Sequence, residues 1–371
     1  MDNATHTLLG LSLAKAGFER ITPLATAALV ISSNLPDIDF VFGLRGGTFE
    51  ALKQHRGITH SLAGIAVLSA ALALVLTLID RGIRLRSSTF NRPARPISLF
   101  WVSCVGMLGH IFMDFTNSYG VRPLLPFSDR WFYGDLIFVV DPWIWLILGS
   151  AAVWLTATDS LRAALWLAAG LAAALIVSLA MRGPALGADP VPLLPRLFWL
   201  AALTVIVAGS VARWGRIGPK LARWSLAVLC LYYSSMWMLH QSALEKALKT
   251  APRVDLGAFA VIPAPGNILS WRALGAGPET AVSRQVSLLP DDAADWKAME
   301  ALDPVFINAI RRSDRGRTFL DFARFWAASV EEMEGGYGGY IVTVRDLRFS
   351  LRMTVQLDRQ LDVISAEARW F

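Results

Sequence analysis

The sequence predicts a mainly α protein: a polytopic transmembrane helical bundle of about six to eight helices, followed by a small α+β extramembrane C-terminal domain. Apolar residues make up 54% of the chain and charged residues only 17%, whereas a soluble domain carries about 25% charged residues. The apolar residues also form blocks of about 20, the length that a helix needs to cross a bilayer. After about residue 250 charged residues return, and the apolar residues begin to alternate as they do in strands.

Six apolar stretches are long enough to be membrane spans. They cover residues 59–80, 97–117, 136–156, 161–181, 196–212 and 222–241. Two shorter stretches, 4–18 and 22–36, precede them. At a rise of about 1.5 Å per residue, each reaches only about 22 Å, which is short for a hydrocarbon core of about 30 Å. These two stretches fit a thin helical hairpin, a re-entrant pair or a pair of interfacial helices.

Basic loops predict the orientation of the bundle. Five arginines lie within residues 81–96, and four basic residues lie within residues 213–223. Loops rich in Lys and Arg stay on the cytoplasmic side, and an even number of predicted spans separates these two loops. The loop 120–135, the start of the 59–80 helix and everything after residue 241 are then expected outside. We therefore expect an integral protein of a bacterial inner membrane, with its C-terminal domain on the periplasmic side.

The predicted domain division is a membrane domain over residues 1–245 and an extramembrane domain over residues 250–371. Asp291–Ala328 has apolar residues at helix-like spacing, which predicts helix, and Tyr340–Phe371 alternates as strands do. The net charge of +6 is concentrated in loops, where it indicates topology, so no nucleic-acid partner is expected. The lipid bilayer is the expected surrounding, and the strand edges of the C-terminal domain could pair with a protein partner.

Histidine and aspartate residues cluster in residues 1–120. Four of the five histidines lie in residues 1–110. His110 and Asp114 are the most informative pair, because residues four apart on a helix share one face. Ionisable side chains inside a membrane segment are costly and point to function; the alternative is a hydrogen-bonded pair that only stabilises helix packing. The candidate metal ligands are His6, Asp37, Asp39, His55, His60, His110 and Asp114.

Asp37 and Asp39 follow Pro36, which favours extended backbone at the residue before it. Residues two apart in an extended segment point the same way, so both carboxylates would face one site. The alternative is that they cap a helix or lie in solvent. Asp141 fits either a hydrogen-bond partner of a ligand histidine or the acid that starts a helix.

His55 and His60 are five residues apart, so they do not share a helical face. Thr59 or Ser61 could cap the helix that follows, which would place His60 at the mouth of that helix. His55 could equally be a solvated loop residue, and His6 could be incidental. His240 has no aspartate nearby in the sequence and is left out of the predicted site.

The predicted topology brings these side chains together, since it places them all at the outer ends of their helices. Imidazole and carboxylate ligands without a thiolate suit a divalent metal, zinc above all, with manganese or iron as alternatives. Seven candidates are enough for one or two ions. Asp39 and His60 are the candidate general bases or ligand-orienting groups. Arg56 is a candidate catalytic residue that could neutralise an anionic oxygen, or else an interfacial anchor.

Four short motifs resemble the YdjM family of membrane-bound proteins, which is described as a family of metal-dependent hydrolases. The motifs are His6-Thr-Leu-Leu-Gly, Leu35-Pro-Asp-Ile-Asp39, His55-Arg-Gly-Ile-Thr-His60-Ser and Gly109-His-Ile-Phe-Met-Asp114. The resemblance covers about residues 1–180. It implies hydrolysis, with the seven candidate ligands at the polar positions that the family conserves.

A more distant similarity links the chain to zinc-dependent phospholipase C and related single-strand nucleases. Those enzymes also combine an aspartate, a later histidine and a helical HxxxD pair around two or three zinc ions, and the similarity implies phosphoester hydrolysis. This chain departs from them after Asp114, because no histidine follows until His240. That departure argues against a full trinuclear centre.

These observations favour an integral membrane metal-dependent hydrolase. It would act on a phosphoester or a lipid-type ester at the membrane surface through a metal-activated water. The alternatives are a non-catalytic structural or partner-binding membrane protein and a metal-binding transporter. A transporter should carry polar residues deep in several spans, whereas the predicted spans 161–181, 196–212 and 222–241 are almost free of charge.

Overall fold

A computed structural model describes residues 1–86, 92–180, 191–212, 214–277, 280–289, 295–300, 302–333 and 338–370. Parts of the basic loops 81–96 and 213–223, residues 87–91 and 213, lie outside this range. Within the described residues, the helices that precede the first sheet are α1 Asn3–Ala16, α2 Ala25–Ser32, α3 Phe40–Gln54, α4 Leu62–Arg86, α5 Pro96–Phe115, α6 Pro142–Thr156, α7 Ser160–Ala180, α8 Leu193–Val211 and α9 Lys220–Thr250.

Among the described helices, α4, α5, α7 and α8 are long and apolar enough to cross a membrane. A fifth span is possible if α2 and residues 35–54, which meet at a bend of 49°, cross together. The predicted fold class is confirmed, but two of the six predicted spans do not meet this criterion. Helix α6 has only 15 residues, and the centre of α9 carries Tyr232, Tyr233, Ser234 and Ser235, which lower its hydropathy.

Small residues let the N-terminal helices approach one another closely. A Cβ atom at Gly10 on α1 would lie 2.7 Å from the carbonyl oxygen of Leu29 on α2. A Cβ atom at Gly106 on α5 would overlap the hydroxyl of Ser32 and lie 3.1 Å from the same carbonyl. Close approach at small residues is the usual way in which helices pack inside membranes. Helix α2 is therefore clasped between α1 and α5, the helices that carry His6 and His110.

The C-terminal region contains two four-stranded antiparallel sheets. The first sheet is β1 Ala258–Ala264, β2 Asn267–Ala276, β3 Thr280–Ser287 and β4 Lys297–Glu300, in that order. Helices α10 Pro304–Arg312 and α11 Asp314–Phe322 separate it from the second sheet of β5 Trp326–Glu332, β6 Tyr340–Asp346, β7 Leu351–Leu357 and β8 Val363–Trp370.

The predicted helix over Asp291–Ala328 is wrong at both ends. The described part of its beginning pairs as strand β4 against β3, and its end belongs to strand β5. Residues 290–294 and 301 lie outside the described range. Only the centre of the segment is helical, as the short α10 and α11. A spacing of three in a short apolar segment does not separate helix from strand. The predicted domain boundary between residues 245 and 250 stays a prediction, because the end of α9 packs against β1 and β2.

A hydrogen bond from Arg348 and an ion pair of Arg324 fasten the C-terminal region to the loop between α5 and α6. Arg348 is buried, pairs with Asp346 at 2.7 Å, and donates from Nη1 to the carbonyl oxygen of Ser118 at 3.1 Å. Arg324 donates to Asp135 at 2.7 Å. Because Ser118 lies four residues beyond Asp114, these contacts bring the C-terminal region beside the predicted metal ligands.

Candidate metal centre

The turn before α3 brings two of the predicted ligands into the bundle. Leu35–Asp39 forms a 3-10 turn with Pro36 near its start, where the missing N–H of proline costs no hydrogen bond. The expectation of an extended segment is therefore wrong, because a proline restricts the residue before it but also begins helical turns well. Asp39 is nonetheless buried, and Asp37 is 9% exposed.

The loop between α3 and α4 folds around Asp39. Arg56 adopts a left-handed backbone with φ of 56°, a conformation that costs about 1–3 kcal/mol for a residue with a side chain. This geometry aims the Arg56 backbone N–H at Asp39 Oδ2, at 3.0 Å. Ile58–His60 then makes a 3-10 turn, and the Ser61 hydroxyl accepts from the N–H of Gly64 to cap α4, so the proposed capping role falls to Ser61.

Helix α5 places His110 and Asp114 on one buried face, as their spacing predicts. His110 Nδ1 lies 2.8 Å from the carbonyl oxygen of Ser33. A carbonyl oxygen only accepts, so Nδ1 carries the proton and Nε2 of the neutral ring carries a lone pair. A hydrogen bond of this kind fixes the tautomer and orientation of histidines that bind metals.

Four acceptor atoms converge in the interior of the bundle. His60 Nε2 and His110 Nε2 lie 3.0 Å apart, and Asp37 Oδ1 lies 3.3 Å and 3.6 Å from them. Asp114 Oδ2 lies 3.4 Å from each of the two nitrogens. Ligand atoms that each lie about 2.0–2.1 Å from a tetrahedral zinc ion are separated by about 3.4 Å. Five of the six separations among the four atoms are therefore close to those of a tetrahedral ligand set, and all four atoms lie within 4.8 Å of one another.

A second group of three, Asp37, Asp39 and His55, lies against the first and shares Asp37 with it. A carboxylate common to two sites is the arrangement expected where two cations sit side by side. His55 is 30% exposed, which makes it the most accessible member of the set. Burial lowers the pKa of His55 below its usual value, and its hydrogen bond to Asp39 only partly offsets this. The imidazole is therefore neutral at neutral pH.

His6 lies beside the first group. Its ring stacks on that of His110 with a centroid separation of 3.7 Å, and its Nε2 lies 3.5 Å from Asp114 Oδ1. His6 is fully buried, yet neither of its ring nitrogens has a hydrogen-bond partner among the described residues, and the same is true of Asp114 Oδ2. Buried polar atoms without partners cost about 1–3 kcal/mol each. The nitrogen and oxygen atoms of this centre therefore fit a divalent cation, which would give the unpartnered atoms a binding partner.

Asp39 lies close to the Nδ1 atoms of both loop histidines. Its Oδ1 lies 3.0 Å from His55 Nδ1. Its Oδ2 accepts from the Thr59 hydroxyl at 2.9 Å and lies 3.2 Å from His60 Nδ1. One carboxylate thus orients both histidines of the loop and leaves their Nε2 atoms free to bind a cation. The predicted catalytic residues Asp39 and His60 are both at the centre, and both are buried.

Arg56 is buried among acceptors. Its Nη2 donates to Asp114 Oδ1 at 2.9 Å, and its Nη1 donates to Asn117 Oδ1 and to the carbonyl oxygens of Gly120 and Asp114 at 2.9–3.2 Å. The amino group of Met1 also lies against Asp114 Oδ1. Burial lowers the pKa of Arg56 to about 10, so the guanidinium stays charged at neutral pH. This placement gives Arg56 the task of holding Asp114.

Two residues at this site were missed by sequence reasoning. Asn117 accepts from Arg56, and Tyr119 places its ring 4.4 Å from the Arg56 guanidinium carbon. Burial raises the pKa of Tyr119 to about 12, so the ring stays neutral. Asn117 ends the polar stretch that begins at His110, and this proximity was the only signal available for it. Nothing in the sequence marked Tyr119.

The remaining polar candidates serve other purposes. Asp141 caps α6, accepting from the N–H groups of Trp143 and Ile144, which is the helix-start alternative. His240 lies 3.0 Å from the carbonyl oxygen of Val261 in strand β1 and stands apart from the centre. The other six sequence-predicted ligands besides His6 all fall in the two groups around Asp37.

Comparison with known proteins gives a family for the half of the chain that carries this centre. A family model described as YdjM inner membrane protein matches residues 1–185. A Bacillus subtilis (strain 168) protein, described as the uncharacterized protein YfhP, is 28% identical over 165 residues, which is 42% of this chain and 46% of the relative. The match thus spans under half of that relative's length. No solved structure matches the chain significantly. Residues 1–185 belong to the YdjM inner membrane protein family.

Proposed function

We propose that this protein is an integral membrane hydrolase that uses one or two divalent metal ions to cleave a phosphoester or a lipid-type ester at the membrane surface. The observation that carries the proposal is the convergence of four acceptor atoms from Asp37, His60, His110 and Asp114, which lie within 4.8 Å of one another, with five of their six separations at 3.0–3.6 Å. Four acceptors without a donor between them repel one another, and a cation removes that repulsion.

Zinc suits a buried tetrahedral set of nitrogen and oxygen ligands best, and manganese or iron is the alternative. His6 would be an alternative to one of the four ligands of the first group, because a catalytic zinc takes three protein ligands and a water molecule, and His55 with Asp37 would hold a second ion. A divalent ion, when bound, polarises an ester oxygen and acidifies a water molecule. The outer location predicted from the basic loops would place this chemistry on the periplasmic side.

The protein's own groups can handle the proton. His55 is neutral and partly exposed, and its Nδ1 lies against Asp39. A carboxylate that holds one ring nitrogen orients the imidazole and stabilises it after it takes a proton at the other. With a single ion bound at the first group, we assign the general base to this pair, with Asp39 as its orienting member; with a second ion bound, His55 would be a ligand of that ion instead. His60 then acts as a ligand, and Arg56 as the residue that positions Asp114.

The transporter alternative fits the described helices less well. The candidate ligands lie at helix ends and in two loops, whereas an ion path needs polar groups along several spans. Helices α7 and α8 carry one charged residue each, Arg162 and Arg196, both close to the first turn. A site at the helix ends, with His55 partly exposed, suits a hydrolase better.

Metal content tests the proposal first. The full chain is purified in detergent and analysed by elemental mass spectrometry as wild type, His110→Ala and Asp114→Ala, with His240→Ala as the control histidine outside the centre. We expect about one or two equivalents of metal in wild type and in the control, and loss in the other two variants. Hydrolysis of bis(p-nitrophenyl) phosphate should follow the metal content. A wild-type protein that stays metal-free and cannot be reloaded would overturn the proposal in favour of a structural role.

A further inference from the structure

Among the described residues, the centre reaches the surface at the edge formed by Asp37 and His55. Among the proposed ligands, Asp37 is 9% exposed and His55 is 30% exposed. The exposed fraction of the others, His6, His60, His110 and Asp114, is at most 1%. A substrate must therefore arrive beside Asp37 and His55. What surrounds that edge determines which substrates can reach it.

Exposed apolar side chains lie next to this edge along the chain. Ile38 separates Asp37 from Asp39 and is 54% exposed, and Ile58, two residues before His60, is 51% exposed. The first turn of α3 continues the surface. We call this surface the apolar rim; it consists of Ile38, Phe40, Val41, Phe42, Leu44 and Ile58, all exposed. Contiguous exposed apolar residues mark sites of contact with a membrane or a ligand, because water would otherwise disfavour them.

The apolar rim is continuous with the lipid-facing side of α4. Ile58 lies four residues before Leu62, the first residue of α4, and Leu62 is exposed as well. Further along the same helix, Val67 and Leu74 are also exposed, and α4 is one of the candidate spans. For a member of an inner membrane protein family, exposed apolar residues on a span face lipid chains. The rim extends that lipid contact to the edge of the centre.

Helix α3 divides its contacts in a way that holds the rim in place. The helix breaks at Gly47, whose φ of 73° lies outside the helical range. Beyond the break, Leu52 is buried and Phe49 is half-buried in a cluster with residues of α11 and the second sheet. Before the break, Phe40, Phe42 and Leu44 have no such cover. The C-terminal region therefore anchors one half of α3 and leaves the other half free for lipid.

We propose that the substrate is a membrane phospholipid that reaches the centre laterally from the bilayer, with its chains against the apolar rim and its phosphoester beside Asp37 and His55. This inference rests on the proposed hydrolase function and narrows its substrate class. In the reaction the oxygen of water bonds to phosphorus, and the P–O ester bond breaks with its electron pair on the leaving oxygen. The leaving alcohol takes up a proton, and the other proton of water passes to the base.

The test compares two substrates of the same chemistry in the full chain reconstituted into phosphatidylglycerol vesicles. One substrate is soluble bis(p-nitrophenyl) phosphate, and the other is a fluorescent phosphatidylglycerol in the vesicle. The rim variant is Phe42→Ser/Leu44→Ser, which leaves every proposed ligand in place. The control is Leu74→Ser. It makes the same kind of substitution at an exposed position of α4, about 18 Å along the helix from Leu62. We expect the rim variant to lose about tenfold in lipid turnover and to keep its turnover of the soluble ester.

A second measurement does not depend on turnover. A phosphatidylglycerol with a photoactivatable diazirine in one acyl chain is cross-linked to the vesicle-bound protein, and peptides are mapped by mass spectrometry. We expect labels within residues 38–44 as well as on α4. Labels on α4 without labels on residues 38–44 would overturn the lateral route, even if the soluble ester is cleaved. Equal loss of both turnovers in the rim variant would overturn it too. A wild type that cleaves neither ester refutes the hydrolase itself, and the cross-links still report whether the rim meets lipid.

Discussion

The role of Arg56 separates two interpretations of the centre. If Arg56 neutralises a substrate oxygen, its guanidinium should be exposed beside Asp37 and His55. It is instead buried, and its two terminal nitrogens make four hydrogen bonds, two of them to Asp114. The substitution Arg56→Lys keeps the positive charge and removes the planar fork that reaches these acceptors. It therefore tests geometry and leaves the net charge of the site unchanged.

The size of the effect follows from the acceptors left behind. An ammonium group in this space can keep one or two of the four hydrogen bonds, so two or three buried acceptors lose their donor. Each buried acceptor without a partner costs about 1–3 kcal/mol, and the total destabilisation should be about 3–5 kcal/mol. Asp114 also loses the partner that orients it, and losses of this kind weaken metal binding by about 10–100-fold.

The assay measures metal retention in the presence of a competing chelator, together with the apparent Tm in detergent. Arg122→Lys is the matched control, because Arg122 lies over the ring of Trp131 and donates to the backbone carbonyl oxygens of Lys53 and Arg56, and neither bond involves the Arg56 guanidinium or Asp114. We expect metal retention and Tm to fall in Arg56→Lys alone. If Arg56→Lys keeps both and only raises the KM for a phosphoester, Arg56 contacts substrate and the positioning role is refuted.

Three further substitutions test separate parts of the structure. Asp39→Asn should weaken metal binding by about 10–100-fold, because an amide orients His55 and His60 poorly; unchanged affinity in a chelator competition would contradict this. Gly10→Ala should destabilise the fold by about 1–3 kcal/mol, since the new methyl group would contact the backbone of α2. The control Gly82→Ala has open space around it and should not destabilise the fold. Thermal unfolding of both variants measures the difference. Arg348→Met should make the C-terminal region sensitive to limited proteolysis, and equal protection would refute its anchoring role.

The sequence predicts the chemistry of the centre better than its geometry. Residue type, intramembrane position and loop charge were enough to select seven residues that the structure places together. The 3-10 turn that carries Asp37 and Asp39 was not predicted, because the pattern after a proline fits either an extended segment or a turn. The role of Arg56 depends on acceptors up to 64 positions away in the sequence. A local sequence pattern does not show which distant residues will accept its hydrogen bonds.

In the C-terminal region the fold class was predictable and the element boundaries were not. Tyr340–Phe371 alternates strictly, and the structure forms three strands there. In the stretch before β5, Trp296 and Met299 have the spacing of a helix, yet residues 297–300 pair with β3. A four-residue strand is too short for its own pattern to show, and the pairing that decides it lies elsewhere in the chain.

The C-terminal region is connected to the candidate metal centre through a short series of packed side chains. Arg56 holds Asp114 and lies under the ring of Tyr119. That ring packs on Phe322 of α11 at a centroid separation of 4.8 Å, and Arg348 lies over the same phenylalanine. Arg348 also donates to the carbonyl oxygen of Ser118, next to Tyr119. Removing the C-terminal region would uncover Tyr119 and loosen Arg56, so metal affinity should depend on a region that supplies none of the proposed ligands.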